Sequence, residues 1–193
     1  MHIVIVLILM IIVMAVIVVG KALLLKPTPA KTASIVLDDS ERAVEYGKTL
    51  SKMVQKETVS SRFEPDRTKF YEFHELLEEL FPVFHENCEK HVFNGSLLFK
   101  WTGTGKTEPI LIMSHHDVVE ANGTWEHEPF CGDIDEKGRV WGRGTVDTKA
   151  SLFCIIAAVE ELMKDGFKPG CDVYIASSCT EEWSGEGAPL TAA

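Results

Sequence analysis

From Ile3 to Gly20 the chain runs without a charged residue. A stretch of that length matches the roughly 20 residues a helix needs to cross a bilayer. It predicts an N-terminal transmembrane anchor over residues 1–25. A cleaved signal peptide is the alternative, with Val18 and Gly20 small enough for a cleavage site, but no Lys or Arg precedes the run. "KPTPAK" then marks a Pro-containing linker over 26–37. Beyond it the spacing changes to that of half-buried helices. Asp38, Asp39 and Ser40 offer caps, and Ala43, Val44, Leu50, Met53 and Val54 form an apolar face. A second helix opens near Asp66, with Phe70, Phe73, Leu77 and Leu80 on one side and Pro82 disturbing its end.

After Cys88 the pattern is that of strands. "HVF" and "SLLFKW" flank Asn94-Gly95, a strong hairpin signal. "PILIMS" and "CDVYIASS" are short apolar runs of the kind expected for central, buried strands. Between them "KASLFCIIAAVEELMKDG" reads as a helix stopped by Gly166. Strand, helix, strand implies a right-handed crossover and a parallel pair, hence an α/β sheet.

Composition narrows the reading. The chain has 193 residues, 46% of them hydrophobic, enough for one domain with a core. The formal charge of -10 offers no surface for phosphates, so nucleic acid is excluded as a partner. Five cysteines, an odd number with no C-x-x-C pair, read as mostly small core residues of a reduced protein rather than as a disulfide framework. Lys21, Lys26 and Lys31 follow the apolar span, which leans the main domain toward the cytoplasmic side. The sequons at Asn94 and Asn122 matter only in a eukaryotic secretory setting.

Three polar clusters fall where an α/β sheet has its binding crevice, at the carboxyl ends of its strands. "SHHDVV" follows the first apolar strand, Thr180, Glu181 and Glu182 follow the second, and Asp147 precedes the connecting helix. In extended chain His115 and Asp117 share a face and His116 points away. Asp117 is thus placed to orient a metal-bound imidazole, and His116 is a packed bystander. Of Glu181 and Glu182, one can hold an ion while the other takes a proton from water; the residues alone leave open which. Imidazole with carboxylates suits Zn2+, and also Co2+ or Mn2+. Each cluster alone has a structural explanation: a strand end, a helix cap, a solvated acidic pair. Their coincidence at one sheet edge favours a metal site.

Other candidates fare worse. "GTGKT" mimics a P-loop tail, but Lys100 stands where the pattern needs its first Gly, and a strand follows. His85, Cys88 and His91 have ligand-like spacing at a charged helix end and read as surface. Trp125, Phe130 and Trp141 could wall a substrate pocket, but packing is the preferred reading.

"SHHDVV", the Trp125…Pro129-Phe130 spacing, "WGRGTVDTKAS" and "TEEWSGEGAP" together resemble the M20 family of metallopeptidases. The likeness is nearest to its Gly-Xaa carboxypeptidase and M20 domain-containing protein 1 group and runs from about Asp38 onward. The resemblance implies a three-layer αβα zinc-peptidase-like domain with two zinc ions per complete site. His115 matches the first ligand, Asp147 the bridging ligand, Asp117 the orienting aspartate, Glu181 the general base and Glu182 the ligand of the second ion. Thr180 departs from the Asp the family often has there, at a non-ligating position. The family also has a further carboxylate ligand, a late histidine ligand and a lid domain. Residues 38–193 therefore read as the N-terminal portion of such a domain, inactive alone. The expected substrates are dipeptides or N-acyl amino acids. The contrasting expectation is a non-catalytic anchored fragment or pseudoenzyme that acts by binding.

Overall fold

The computed structural model describes residues 2–25, 40–105 and 107–192. The linker reading over 26–37 and the Asp38 and Asp39 caps lie outside the described residues. The chain divides into two units, Met1–Val36 and Leu37–Ala193. In the first, helix α1 (His2–Leu24) has no buried residue and is long and apolar enough to cross a membrane.

In the second unit α2 (Glu41–Gln55) starts at Ser40, whose hydroxyl accepts the Ala43 N–H at 3.2 Å. Met53 and Val54 are buried as their spacing requires, but Val44 is exposed. Tyr46 packs inward in its place, its ring edge-on to Phe153 at 5.3 Å. Helix α3 (Thr68–Leu80) buries Phe70, Phe73 and Leu77. Asp66 accepts the Thr68 N–H at 2.9 Å at its start. Pro82 does more than disturb an end: it opens a second helix, α4 (Pro82–Asn87), at the position where a missing N–H costs nothing. Buried Glu160 accepts the Phe84 N–H at 3.0 Å in that first turn, placing a carboxylate at the positive end of the helix.

Strands β1 (Glu89–Phe93) and β2 (Ser96–Trp101) form the hairpin, with Phe93 opposite Ser96. Asn94 and Gly95 both take positive φ, 47° and 92°, as a two-residue turn of this type demands. Strands β3 (Ile110–His115) and β4 (Val173–Ser178) are parallel and joined through α5 (Ala150–Lys164). The sheet order is β1-β2-β4-β3, and β2 meets β4 antiparallel. A short helix α6 (Gly187–Ala192) follows. One core joins α2, α3, α4 and α5 to a single face of the sheet, centred on Phe73, Leu77, Phe84, Phe99, Ile156 and Ile175. Each such side chain taken fully out of water contributes roughly 1.5–3 kcal/mol.

Two expectations need correction. "CDVYIASS" is central, but "PILIMS" lies at the edge of the sheet among the described residues, and Leu111 and Met113 are 57% and 60% exposed. Its continuous apolar run is that of a strand with two covered faces and two neighbours. The described residues supply one neighbour and helices on one face. Of the three-layer arrangement they therefore build a mixed sheet with one helical layer. The cysteines also divide: Cys88 and Cys179 are buried, whereas Cys154 is exposed, and all five thiols are free. Cys154 sits on the outer side of α5, away from Leu152, Phe153 and Ile156.

Behind the sheet end lies a buried histidine pair. His74 and His116 both bond the Gly95 carbonyl, at 3.0 and 3.1 Å. Burial, with Lys90 nearby, pushes His74 down to about 4. Below pH 6.5 the unfolded chain binds a proton that the folded chain refuses, so this group's stability is intact above 6.5 and falls toward pH 4. The expected loss by pH 4 is about 3 kcal/mol. Urea midpoints measured from pH 7 to 4, with His74→Gln flattening the slope, check it.

Candidate metal centre

The pairing of β3 continues past its end. His116 N–H donates to Ser178 O at 2.9 Å, Val118 N–H to Thr58 O and Ser60 N–H to Val118 O, both at 3.0 Å. Extended geometry is thereby kept through Val118, and the side chains alternate as the sequence requires. His115 and Asp117 face the crevice, and His116 faces the core. Fully buried His116 bonds Ser177 Oγ at 2.8 Å and stacks on Phe73 at 5.4 Å.

Asp147 is delivered by the turn before α5. Gly144 has φ +85°, and a Cβ there would meet Val118 Cγ1 at 2.8 Å, so the chain can turn this tightly only with glycine. Buried Lys149 anchors the turn from the other side, its ammonium donating to the Met53 and Lys56 carbonyls at the end of α2. Burial pushes Lys149 down to about 7. Asp147 is not a cap: α5 begins without a side-chain cap hydrogen bond. Its carboxylate, 76% exposed, instead reaches His115 Nε2 at 3.1 Å.

Glu181 and Glu182 begin a single helical turn, Glu181–Trp183, just past β4. Their backbone N–H groups donate to Asp117 Oδ1 at 3.2 Å and Oδ2 at 3.1 Å. Ser60 Oγ adds a third bond at 2.7 Å. Fully buried Asp117 is thus held by protein donors on both oxygens. Burial pushes its carboxyl up, but the bonds from His115, Ser60 and the Glu182 amide outweigh it and hold the group below the usual range. Ser60 carries no sequence signal of this role; only the pairing of residues 58–60 beside Val118 brings it in.

His115 Nδ1 lies 3.1 Å from the Asp117 carbonyl and 3.4 Å from its Oδ1. Both are acceptors, so Nδ1 carries a proton and Nε2 is turned to the crevice. Burial opposes charge on His115, yet Asp117, with Glu181 behind it, raises the ring to about 9. Glu181 Oε2 is 3.6 Å from Nε2. Glu182 is pushed up by burial first and then by the charge of Asp147, with His115 opposing. One donor atom each of His115, Asp147 and Glu182 lies within 4.8 Å of the others. The residues fit a zinc ion. Two ligands about 2 Å from a tetrahedral ion lie roughly 3.3 Å apart, close to the His115–Asp147 spacing. A groove of about 350 Å³ lined by Ser60, Arg62, Glu120, Glu182 and Trp183 borders the cluster.

Gly103 and Gly105 pack against the backbone of Cys171 and Gly170, and β3 follows. Of the triplet read as surface, only His91 is exposed; Cys88 is in the core and His85 packs edge-on to Phe99 at 5.2 Å. The helix end that carries them is turned inward by α4. Trp125 and Trp141 pack within the loop, Trp141 stacked on His127 at 4.5 Å and Trp125 beneath Arg143 at 4.8 Å, and both also line a cavity of about 350 Å³.

Residues 111–193 match the model of Peptidase family M20/M25/M40. Carboxypeptidase S of Saccharomyces cerevisiae is 37% identical over 141 residues, covering 69% of this chain and 24% of that protein. The N-fatty-acyl-amino acid synthase/hydrolase PM20D1 of Mus musculus is 36% identical over 152 residues, covering 76% of this chain and 30% of that protein. The chain thus spans under a third of the length of these relatives. Human carnosine dipeptidase 1 shares the fold at a TM-score of 0.64 and 16% identity, over 76% of this chain and 34% of that one. An M20 family metallo-carboxypeptidase from Sulfolobus solfataricus does so at 0.58 and 22%, over 72% and 31%.

Proposed function

The chain belongs to the M20 peptidase family through residues 111–193, and from that premise we propose that residues 38–193 are the N-terminal portion of a metal-dependent amide hydrolase. The substrates are dipeptides or N-acyl amino acids; in support, the yeast relative is named a carboxypeptidase and the mouse relative an N-fatty-acyl-amino acid synthase/hydrolase. The observation that carries the reading is the convergence of His115, Asp147 and Glu182 from three separate segments. In this reading those three would hold zinc, Asp147 in the position that matches the family's bridging ligand. Zinc there supplies a Lewis acid that polarises the scissile carbonyl and makes water acidic.

The chain's own residues do the rest. Asp117 fixes the ring of His115 and so directs Nε2. Glu181, 57% exposed beside Nε2, takes a proton from the attacking water and returns it to the leaving nitrogen. The groove along Trp183 receives the substrate.

Donor number bears on the 193-residue polypeptide by itself. A catalytic zinc usually has three protein ligands, and with Asp147 shared each ion here would have two. Assayed alone with added zinc or cobalt, this polypeptide should not turn over a panel of dipeptides and N-acyl amino acids. Turnover that Glu181→Gln abolishes would refute the donor argument and leave the hydrolase reading standing. A second reading is an anchored chain that acts by binding. In both readings residues 1–25 are a single-pass anchor with the domain on the cytoplasmic side, for which the lysines after the span argue. Fractionation should find the chain, still beginning at Met1, in membranes.

A further inference from the structure

We propose that His127, Cys131 and Asp133 form a second metal site, for a zinc-class ion, apart from the His115 cluster. One donor atom from each lies within 4.8 Å of the others. His127 Nδ1 is 3.0 Å from Asp133 Oδ2, near the roughly 3.3 Å that separates two ligands of a tetrahedral ion. An exposed His–Asp pair alone would be ordinary. Here a sulfur occupies the third corner, and each donor is held by its surroundings.

The ring of His127 stacks on Trp141, with centroids 4.5 Å apart and planes 23° apart. Trp141 is fixed in turn. Its indole N–H donates to Asp135 Oδ2 at 3.1 Å, and its backbone N–H donates to Asp133 O at 2.8 Å. Asp135 also accepts the Lys137 and Arg139 backbone N–H groups, both at 2.9 Å, which closes the turn between them. Cys131 Sγ accepts the Asp133 N–H at 3.3 Å, which holds the sulfur beside the Asp133 backbone. His127 and Cys131 are half-buried, and Asp133 is exposed, so the site is open on one side for water as a fourth ligand.

The donor types choose the ion. Magnesium and calcium prefer oxygen throughout. One thiolate, one imidazole and one carboxylate suit zinc or cobalt. Binding exchanges the Cys131 thiol proton for the metal, with the proton released to solvent. The His115 cluster contains no sulfur, so the two sites differ spectroscopically. His127 and Trp141 also line the same cavity as Thr145 and Val146, just before Asp147. An ion on His127 would therefore stiffen the wall beside the Asp147 turn.

Cobalt bound to a thiolate shows a strong near-ultraviolet charge-transfer band that a site of nitrogen and oxygen donors lacks. The full chain is titrated with Co2+ in detergent, with a non-chelating phosphine reductant. The band should saturate at one ion per chain, survive the H115A/D147A double substitution and disappear on adding Zn2+. Cys131→Ser should abolish it. His127→Gln and Asp133→Asn should weaken affinity at least about tenfold, the scale of losing even a ligand's hydrogen-bond partner. Absence of the band in the parent chain, or its persistence in Cys131→Ser, would overturn the proposal. So would a folded His127→Gln chain, checked by circular dichroism, with unchanged affinity.

Discussion

Replacing Glu181 by glutamine, in a polypeptide that turns substrate over, should lower kcat by roughly 10²-fold or more while metal content stays the same. The substitution keeps size and removes only the ability to accept a proton. Glu181 is outside the trio of convergent donors, so the ion should remain. Its backbone N–H, not its side chain, holds the turn to Asp117, so the turn should remain as well. The measurement pairs steady-state kinetics with metal analysis of the same sample. An unchanged kcat, or a loss of metal in parallel with activity, would remove Glu181 from the role of base.

The second large effect separates two adjacent histidines. In a complete form of the protein, His115→Ala and Asp147→Ala should each abolish tight metal binding at the His115 cluster, because they remove the pair of donors whose 3.1 Å spacing suits one ion. His116→Ala should leave metal binding in place and act on stability. Its ring is fully buried, bonded to Ser177 and Gly95, and stacked on Phe73. Truncation would open a cavity and strand two polar partners, costing about 2–5 kcal/mol. Zinc titration against a chromophoric chelator and urea unfolding read the two outcomes separately. A metal-free His116→Ala chain that unfolds like the parent would mean the strand faces are assigned the wrong way round.

Alternation along one strand was enough to read the division between His115 and His116 from sequence, because backbone pairing runs unbroken through Val118 and side chains then have no choice of face. The hairpin at Asn94-Gly95 was equally legible, since few dipeptides reach positive φ twice in succession. What local pattern does not carry is which neighbours a segment meets. The apolar run of β3 says that it is built for burial, not that its outer side lies open among the described residues. Likewise Ser60 reaches Asp117 only through a pairing between segments far apart in sequence, and Cys131 joins His127 only because a loop folds on itself. The inward face of α5 could not be picked out from a stretch apolar nearly all round, so the exposure of Cys154 was not legible there.

The grip of Asp117 on the two glutamate amides has a consequence for timing. Backbone N–H groups in surface loops ordinarily exchange with solvent hydrogen quickly, whereas those bonded to a buried carboxylate exchange only when the structure opens. The amides of Glu181 and Glu182 should therefore be slow to exchange in the metal-free chain. Their loop is ordered by folding itself, so an arriving ion meets ligands already arranged and loses little entropy in gathering them. The metal would select a finished nest rather than build one, and its rate of capture would be set by ion dehydration and not by loop motion.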